Sequence, residues 1–384
     1  MSSEMSAAVK SGLDGVVAAA TMLSSVDGEA GELIIGGYPL EEVAGRATFE
    51  ETIHLLWYGA LPTTAQLRDI KGVLAANRSL PEATFVLIQA AAARKIPAMD
   101  ALRMALDSLS LELHEADPND RMTPLFGLIA RIPTIIASYA RAVAGAEAVS
   151  PDPELGEAAN YLYMLHGERA DDEHVRALDT YLNTVVDHGL NASTFTARVI
   201  ASTGSDVVSA LVGALGALKG PLHGGAPGPA LDMVFEIGTP ERAEPVIRAK
   251  LERGERLMGF GHRVYKVRDP RADVLAAAAT RLLARGAADA TLYDLVHHVE
   301  QTALRLLEEY KPGRRLQTNV EFYTALVLHS IGLETELFTP TFAMSRAAGW
   351  IAHYFEQQST GRLVRPQSIY TGPRDRQWVP VEER

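Results

Sequence analysis

The chain has 384 residues, 47% hydrophobic and 22% charged, which is enough to bury a large core in two domains or one large one. Its formal net charge of −12 argues against a nucleic acid or an anionic membrane as the main partner, because both attract basic surfaces. The absence of cysteine excludes disulfides, thiolate nucleophiles and Cys-ligated metal centres, and it fits a cytoplasmic location.

Residues 22–26 and 32–35 flank a Gly-containing turn, a pattern that predicts a short β-hairpin or extended turn. Apolar residues then recur every three or four positions over residues 49–57, which predicts a helix. The sequence Leu61-Pro62-Thr63 ends that helix and caps the next one. Ala- and Leu-rich segments of about 12 to 20 residues follow and predict a mainly α protein. No fixed repeat period is visible, which disfavours a helical solenoid.

Two apolar stretches, residues 15–26 and Val207–Leu218, are the longest in this reading of the sequence. Both are well short of the roughly 20 residues that cross a bilayer, so we predict no membrane span. Glu4 and Asp14 flank the first stretch, which is not typical of a secretory signal.

Segments rich in Gly and Pro mark candidate boundaries along the chain. The densest is 220–229, and a second lies near Ile331-Gly332. Residues 115–122 and 146–156 also carry loop signals, but no evident chemistry. The first two segments are the candidate domain boundaries.

Three of the eleven histidines border glycine, which lets the backbone approach a ligand closely: His188, His223 and His262. They are the candidate functional histidines. The adjacent His297 and His298 point in different directions on a helix and are not a ligand pair. The remaining six are interpreted as core or capped imidazoles, and they are His54, His114, His166, His174, His329 and His353.

Metal and nucleotide chemistry are disfavoured by the motifs that are missing. The sequence has no His-x-x-x-His pair on a helix, so we predict no metal site. Gly259 and Gly261 lack the third glycine of a dinucleotide fingerprint, because Val264 stands there. No Walker lysine pattern occurs either.

Three arginines lie in contexts of their own: Arg271 follows Asp269-Pro270, Arg346 lies in a helical segment, and Arg365 precedes proline. Taken singly, each is expected to be a solvated charge. Guanidinium groups bind carboxylates through two hydrogen bonds, however, so several near imidazoles would suit a small dicarboxylate. The sequence leaves open whether they meet.

Several short motifs recur in a fixed order along the chain. They are Val26-Asp27-Gly28, Gly37-Tyr38-Pro39-Leu40, and the segments 49–62, 220–225, 259–271, 319–323 and 338–346. Taken together, these motifs resemble the citrate synthase family in order and spacing. The resemblance runs from about residue 13 to the C-terminus, and the ordered set is specific although each piece alone is weak.

The resemblance implies a mostly helical homodimer with its active site in a cleft between two domains. The large domain would comprise residues 1–223 and 333–384, with a small domain of residues 224–332 inserted between them. It also implies that the substrates are oxaloacetate and acetyl-CoA, that no cofactor is tightly bound, and that the citryl-CoA formed is hydrolysed to citrate and CoA.

The same resemblance implies the roles of the catalytic residues. Glu321 would remove a methyl proton from acetyl-CoA, His223 would donate a hydrogen bond to the thioester oxygen, and His262 would polarise the ketone of oxaloacetate. A methyl group beside a thioester is a very weak carbon acid, so a base alone is insufficient without donors for the developing oxyanion.

Binding residues are implied as well. His188, Arg271 and Arg346 would hold the carboxylates of oxaloacetate, and Arg365 would do so from the partner subunit. CoA would contact the Gly-rich segment and a nearby lysine, which comprise Arg256, Leu257, Met258, Gly259, Phe260, Gly261 and Lys266. Lys311 and Arg314 are weaker candidates for its phosphates.

Three positions depart from the family pattern, two of them at or near the base. The family usually has aspartate where this chain has Glu321, and proline where it has Thr318; Gly36 replaces a common arginine. Glutamate keeps the carboxylate but extends it by one methylene, which moves the base by about 1 Å unless the backbone compensates. Such an error costs on the order of 100-fold in rate.

Two other functions remain open at this point. A 2-methylcitrate synthase would use propionyl-CoA on the same framework, with a pocket larger by one methylene, a contrast of about 1 to 3 kcal/mol. A non-catalytic helical binding protein would keep the fold and lose the chemistry. Because the histidines and arginines are all present, the sequence favours an enzyme.

Overall fold

The structure is a computed structural model that describes residues 11–13, 15–113, 120, 122–224, 227–262 and 264–384. Some sequence predictions fall outside these ranges. They concern the N-terminal ten residues, Asp14, His114, most of the loop 115–122, and positions 225, 226 and 263 of the glycine-rich motifs.

The protein is mostly helical, with 61% helix and 3% strand, which confirms the predicted mainly α class. The α-helices are α1 Leu40–Val43, α2 Phe49–Tyr58, α3 Thr64–Ala76, α4 Glu82–Ala93, α5 Ala98–Ser108, α6 Ser110–Leu113, α7 Thr123–Val143, α8 Glu157–His166, α9 Asp172–Val185, α10 Ala192–Ala201, α11 Val207–Leu218, α12 Pro227–Ile237, α13 Pro240–Glu252, α14 Pro270–Ala284, α15 Ala290–Tyr310, α16 Val320–Ser330 and α17 Phe338–Thr360. Short 3-10 helices span Ser11–Leu13, Thr335–Leu337 and Val381–Glu383.

The predicted hairpin is confirmed. Strand β1 (Ser24–Asp27) pairs antiparallel with β2 (Glu32–Ile35), with Ser24 opposite Ile35. A third strand, β3 (Tyr38–Pro39), extends the sheet beside β2 and was not predicted, because its two residues are too short to show a period.

The predicted helix over residues 49–57 is α2, and its ends follow from local chemistry. Thr48 accepts a hydrogen bond from the backbone of Glu51, whose side chain accepts one from the Thr48 N–H, so the pair forms a capping box. Gly59 ends the helix in the left-handed conformation. Thr63 caps α3 in the same manner as Thr48 caps α2, as expected.

Helix α7 is the apolar segment that the sequence analysis underestimated. It has 21 residues, long enough by length and composition to cross a membrane, and exceeds both apolar stretches considered there. Its most apolar window is 78% buried inside the protein, where it packs against α3, α4, α5, α8 and α17. That burial is typical of a core helix.

Helix α17 lies at the centre of the packing and contacts α7, α9, α10 and α11. Gly349 allows its close approach to the end of α9, because a Cβ there would lie 2.4 Å from the carbonyl oxygen of Val186. This contact brings one face of α17 against the loop that follows α9.

Helices α12 to α16 pack largely on one another, with α14 against α16 and α13 against α15. Helix α14 also packs on α9, and the loop before α14 contacts the β-hairpin. There the backbone N–H of Lys266 donates to the carbonyl of Gly28 at 2.8 Å. Gly28 permits the approach, since a Cβ would lie 2.2 Å from the Val264 carbonyl oxygen. The candidate site lies where these helices meet α9 and α17.

Candidate active site

The loop after α9 carries His188 and is fixed by the buried carboxylate of Asp187. Asp187 accepts hydrogen bonds from Ser24 Oγ at 2.5 Å and from His353 Nε2 at 3.1 Å. The backbone N–H of Gly189 donates to the same Ser24 hydroxyl at 2.8 Å. Residues on both sides of His188 are therefore tied to the core.

One face of α17 supports that loop through residues at helical spacing: Arg346, Trp350 and His353. Arg346 Nε donates to the carbonyl of Val185 at 2.6 Å, and Trp350 Nε1 donates to Ser193 Oγ at 3.2 Å. Arg346 is 1% exposed, so the solvated charge expected for an isolated arginine is wrong here. Burial lowers its pKa to about 10, and the guanidinium stays charged at neutral pH.

His188 and His262 both lie beside the ring of Tyr265. The centroids of the two imidazole rings are 5.8 Å apart. The Tyr265 hydroxyl lies 3.1 Å from His188 Nε2, and its ring lies 4.9 Å from that of His262. Burial, followed by the positive charge of Arg271 and Arg346, holds the pKa of His188 well below its usual range. The imidazole is therefore neutral at physiological pH.

The backbone fixes the tautomer of His262. Its Nδ1 lies 3.1 Å from the N–H groups of both Val264 and Tyr265, which makes it an acceptor. Burial and the charge of Arg271 lower the pKa of His262 to about 4, so the ring is neutral. Its single N–H proton then resides on Nε2, because Nδ1 is an acceptor. Arg271 Nη2 lies 3.2 Å from this Nε2. Both groups are donors, so one oxygen atom placed between them would accept a hydrogen bond from each.

Arg271 is held by Asp269 through a two-point ion pair. The distances are 3.0 Å from Nε to Oδ1 and 2.8 Å from Nη2 to Oδ2, and both side chains are buried. Asp269 also caps α14 by accepting from the Arg271 N–H at 3.0 Å. The remaining Arg271 nitrogen, Nη1, makes no hydrogen bond in the described part of the chain.

Glu321 lies in the first turn of α16, where Asn319 caps the helix by accepting from the Glu321 N–H at 3.0 Å. Burial raises the pKa of its carboxyl to about 7, although the positive charges of Arg271 and Arg346 oppose the shift. Within the described ranges no group donates a hydrogen bond to this carboxylate. A partly buried, unpaired carboxylate with a pKa near neutrality is suited to general-base catalysis.

His223 is held from the other side by the start of α10. Its Nε2 accepts from the Ser193 N–H at 3.3 Å and lies 2.9 Å from Ser193 Oγ. Burial, followed by the charge of Arg346, lowers its pKa to about 4, so the ring is neutral with its proton on Nδ1. The preceding loop needs Gly224, because a Cβ there would lie 2.5 Å from the Leu218 carbonyl oxygen.

The glycine-rich segment 256–261 runs antiparallel to the residues that precede Glu321. The Gly261 N–H donates to Gln317 O at 2.7 Å, and the Asn319 N–H donates to Gly259 O at 3.0 Å. Gly259 has φ of 86° and no room for a side chain, because a Cβ would lie 2.8 Å from the Phe322 ring. Leu257 and Phe260 are buried and Met258 is half-buried.

The charged candidates for CoA binding, Arg256, Lys266 and Arg314, are exposed, and Lys311 is half-buried. Arg365 lies in the C-terminal segment after α17 and is exposed as well. No contact in the described ranges joins it to His188, Arg271 or Arg346. Of the seven catalytic and substrate-binding candidates, a single chain therefore brings together every one except Arg365.

Three residues of the site were missed by the sequence analysis: Asp269, Ser193 and Tyr265. Asp269-Pro270 is a helix-start signature, and Asn191-Ala192-Ser193 is another, so capping chemistry signalled the first two. Their contacts with Arg271 and His223 depend on tertiary structure. Tyr265 carried no signal of its own.

The arrangement combines one carboxylate without a hydrogen-bond donor among the described residues, two neutral imidazoles of defined tautomer, and two buried guanidinium groups. Such a set can remove a weakly acidic proton, stabilise an oxyanion and bind a small dianion. Among the described residues no group of three His, Asp or Glu side chains has the geometry of a metal site.

Several known proteins are similar in sequence to this chain over nearly its full length. The family model described as "Citrate synthase, C-terminal domain" matches residues 12–367. Citrate synthase 2 of Bacillus subtilis is 41% identical, covering 97% of this chain and 98% of the relative. Citrate synthase of Haloferax volcanii is 40% identical over 99% and 100%. The 2-methylcitrate synthase 1 of Corynebacterium glutamicum is 37% identical over 98% of each chain.

Solved structures show the same fold. Citrate synthase of Pyrobaculum aerophilum has a TM-score of 0.86 at 38% identity, covering 97% of this chain and 94% of that one. Citrate synthase of Thermoplasma acidophilum, solved as a ternary complex with carboxymethyl coenzyme A and oxaloacetate, has a TM-score of 0.87 at 31% identity, covering 97% of this chain and 98% of that one. From its sequence, its fold and these likenesses, the chain belongs to the citrate synthase family.

Proposed function

We propose that this protein condenses acetyl-CoA with oxaloacetate and hydrolyses the resulting citryl-CoA to citrate and CoA. In this reaction it is an acyltransferase that converts the acyl group to an alkyl group on transfer. The observation that carries the proposal is the Glu321 carboxylate, which accepts no hydrogen bond from the described residues and has a pKa of about 7, close to the charges of Arg271 and Arg346. The relatives named citrate synthase support the same activity.

The first step is enolisation of acetyl-CoA. Glu321 removes a methyl proton, and the C–H electron pair becomes the C=C bond of the enol or enolate. His223 stabilises the developing oxyanion with its Nδ1–H, because its Nε2 is already paired with Ser193. A donor fixed before the reaction contributes more than one that must reorient.

The second step forms the carbon–carbon bond. The enol carbon attacks the ketone of oxaloacetate, which His262 polarises through its Nε2–H. The ketone oxygen takes up one proton to become a hydroxyl, which balances the proton that Glu321 removed from the methyl group. Arg271 and Arg346, with His188, bind the carboxylates of oxaloacetate and orient the ketone. Water then cleaves the thioester of citryl-CoA and releases CoA. No metal or tightly bound cofactor takes part in this scheme.

CoA binds along segment 256–261, whose glycines expose backbone groups, and Lys266 meets a phosphate, with Lys311 and Arg314 as further phosphate ligands. Backbone hydrogen bonds join this segment to the residues just before Glu321, so CoA binding would affect the position of the base.

We divide the chain into a large domain of residues 1–223 and 333–384 and a small domain of residues 224–332. Closure of the cleft between them would exclude water from the thioester.

The functional unit is a cytoplasmic homodimer in which Arg365 binds oxaloacetate in the partner's site. Arg365 is exposed in the single chain and, among the described residues, makes no contact with His188, Arg271 or Arg346, which supports this arrangement. A 2-methylcitrate synthase is the second candidate, because a relative with that name is 37% identical over the same length. The two candidates differ in the acyl-CoA that they use, acetyl-CoA or propionyl-CoA.

Purified protein should release CoA thiol only when oxaloacetate and acetyl-CoA are both present, and EDTA should not affect the rate. Loss of activity with EDTA and its return with zinc would contradict the proposed chemistry. Propionyl-CoA preferred by more than about 100-fold in kcat/KM would instead assign the protein as a 2-methylcitrate synthase, because one methylene normally supplies less discrimination than that.

Replacing Glu321 by Gln should lower kcat by about 100-fold or more with little change in oxaloacetate affinity, because the amide cannot accept the proton.

In the unaltered protein, kcat/KM should rise with pH through an apparent pKa of about 7, since burial raises the pKa of Glu321 and only the deprotonated form is the base. Glu321→Asp, whose carboxylate is drawn back, should also slow turnover. A flat pH profile, or near-normal kcat for Glu321→Gln, would show that another group is the base.

Replacing Arg365 by Leu should weaken oxaloacetate binding by a factor corresponding to about 2 to 5 kcal/mol, because one carboxylate loses its partner. Arg362→Leu in the same exposed segment is the matched control and should bind normally. Mixed dimers of Arg365→Leu and Glu321→Gln chains should regain activity, since one of their two sites is then intact. Normal oxaloacetate binding by Arg365→Leu would refute the shared site.

A further inference from the structure

Glu300 is a buried carboxylate that lies outside the reacting groups and binds three donors. It is on α15, is 4% exposed, and accepts from Thr318 Oγ1 and Arg268 Nη1 at Oε1, both at 2.7 Å. Its Oε2 accepts from the Tyr323 hydroxyl at 2.6 Å. Burial raises the pKa of Glu300, but these three hydrogen bonds outweigh it and leave the pKa below its usual value. The group is therefore an anion at neutral pH.

Two of the three donors flank the base in sequence, and the third directly precedes the partner of Arg271. Thr318 is three residues before Glu321, and Tyr323 is two residues after it in the first turn of α16. Arg268 directly precedes Asp269, the partner of Arg271, and its guanidinium lies 5.9 Å from the centre of the Tyr323 ring. A single carboxylate thus binds the residues on both sides of Glu321 and the segment that leads to Arg271.

The contact with Thr318 is buried. Thr318 is 1% exposed, and its hydroxyl donates a hydrogen bond to Glu300. This hydrogen bond therefore ties the backbone three residues before Glu321 to α15.

We propose that Glu300 is a positioning residue for the general base: by holding Thr318 and Tyr323 it fixes the first turn of α16 at the place where the longer Glu321 side chain reaches the methyl carbon. The inference rests on the proposed function, in which Glu321 is the base. Glu300 contacts no proposed substrate group. It acts through the backbone of residues 318–323, where a displacement of about 1 Å costs on the order of 100-fold in rate.

The test compares Glu300→Gln, Thr318→Val and Tyr323→Phe with the matched control Asp273→Asn. Asp273 is the other partner of Arg268, is 60% exposed, and makes no contact with Thr318 or Tyr323 in the described ranges. For each variant we would measure the melting temperature, KM for oxaloacetate, kcat, and the isotope effect on kcat with acetyl-CoA deuterated at the methyl group. Thr318→Val and Tyr323→Phe each remove one hydrogen bond and keep the test valid if Glu300→Gln does not fold.

We expect kcat to fall by about 10- to 100-fold in Glu300→Gln and less in the two single-bond variants, with KM for oxaloacetate within about threefold of the unaltered protein. The isotope effect should rise, because a misplaced base makes proton transfer more rate-limiting. Asp273→Asn should match the unaltered protein in all four measurements.

Two results would overturn the inference while leaving the proposed function intact. One is an unchanged kcat in all three variants. The other is a fall in kcat that follows the loss of folded protein with no change in the isotope effect, which would make Glu300 merely structural. Absence of turnover in the unaltered protein would instead refute the proposed function, and this inference with it.

Discussion

The buried carboxylate of Asp269 is the constraint on which the rest of the site depends. It holds the guanidinium of Arg271 with both oxygens, caps α14, and accepts from the Val320 N–H at 3.2 Å. Val320 is the first residue of α16, and Glu321 follows it. One side chain therefore fixes the proposed oxaloacetate ligand and the helix of the proposed base relative to each other, in a place where an unpaired charge would be costly.

Electrostatics give the site its chemical character despite a net charge of −12 for the whole chain. Arg271 and Arg346 supply buried positive charge, while burial keeps His188, His223 and His262 neutral by lowering the pKa of each. Neutral imidazoles donate hydrogen bonds without adding to that positive charge. The same burial raises the pKa of the Glu321 carboxyl, which makes the base strong enough to act near neutral pH.

Local signals in the sequence predicted the helical class, the hairpin and the cap at Thr63, because each depends on neighbouring residues. The three glycine-flanked histidines lie in loops that the structure brings together at the candidate site. Tertiary contacts were beyond reach: no spacing indicates that Asp269 binds the N-terminus of α16 or that Ser193 orients His223. Burial was misjudged for the same reason, since an isolated Arg346 gives no sign of the helices packed around it.

The most direct test of this account is Asp269→Asn, with its fold checked by circular dichroism, because the amide keeps the shape of the side chain but loses its charge and one acceptor. If Asp269 holds both groups, oxaloacetate affinity should fall by more than about tenfold and kcat at saturating oxaloacetate should fall by about 100-fold. A folded variant that binds oxaloacetate weakly but turns over normally at saturation would contradict the account, because Glu321 would then be positioned independently of Asp269.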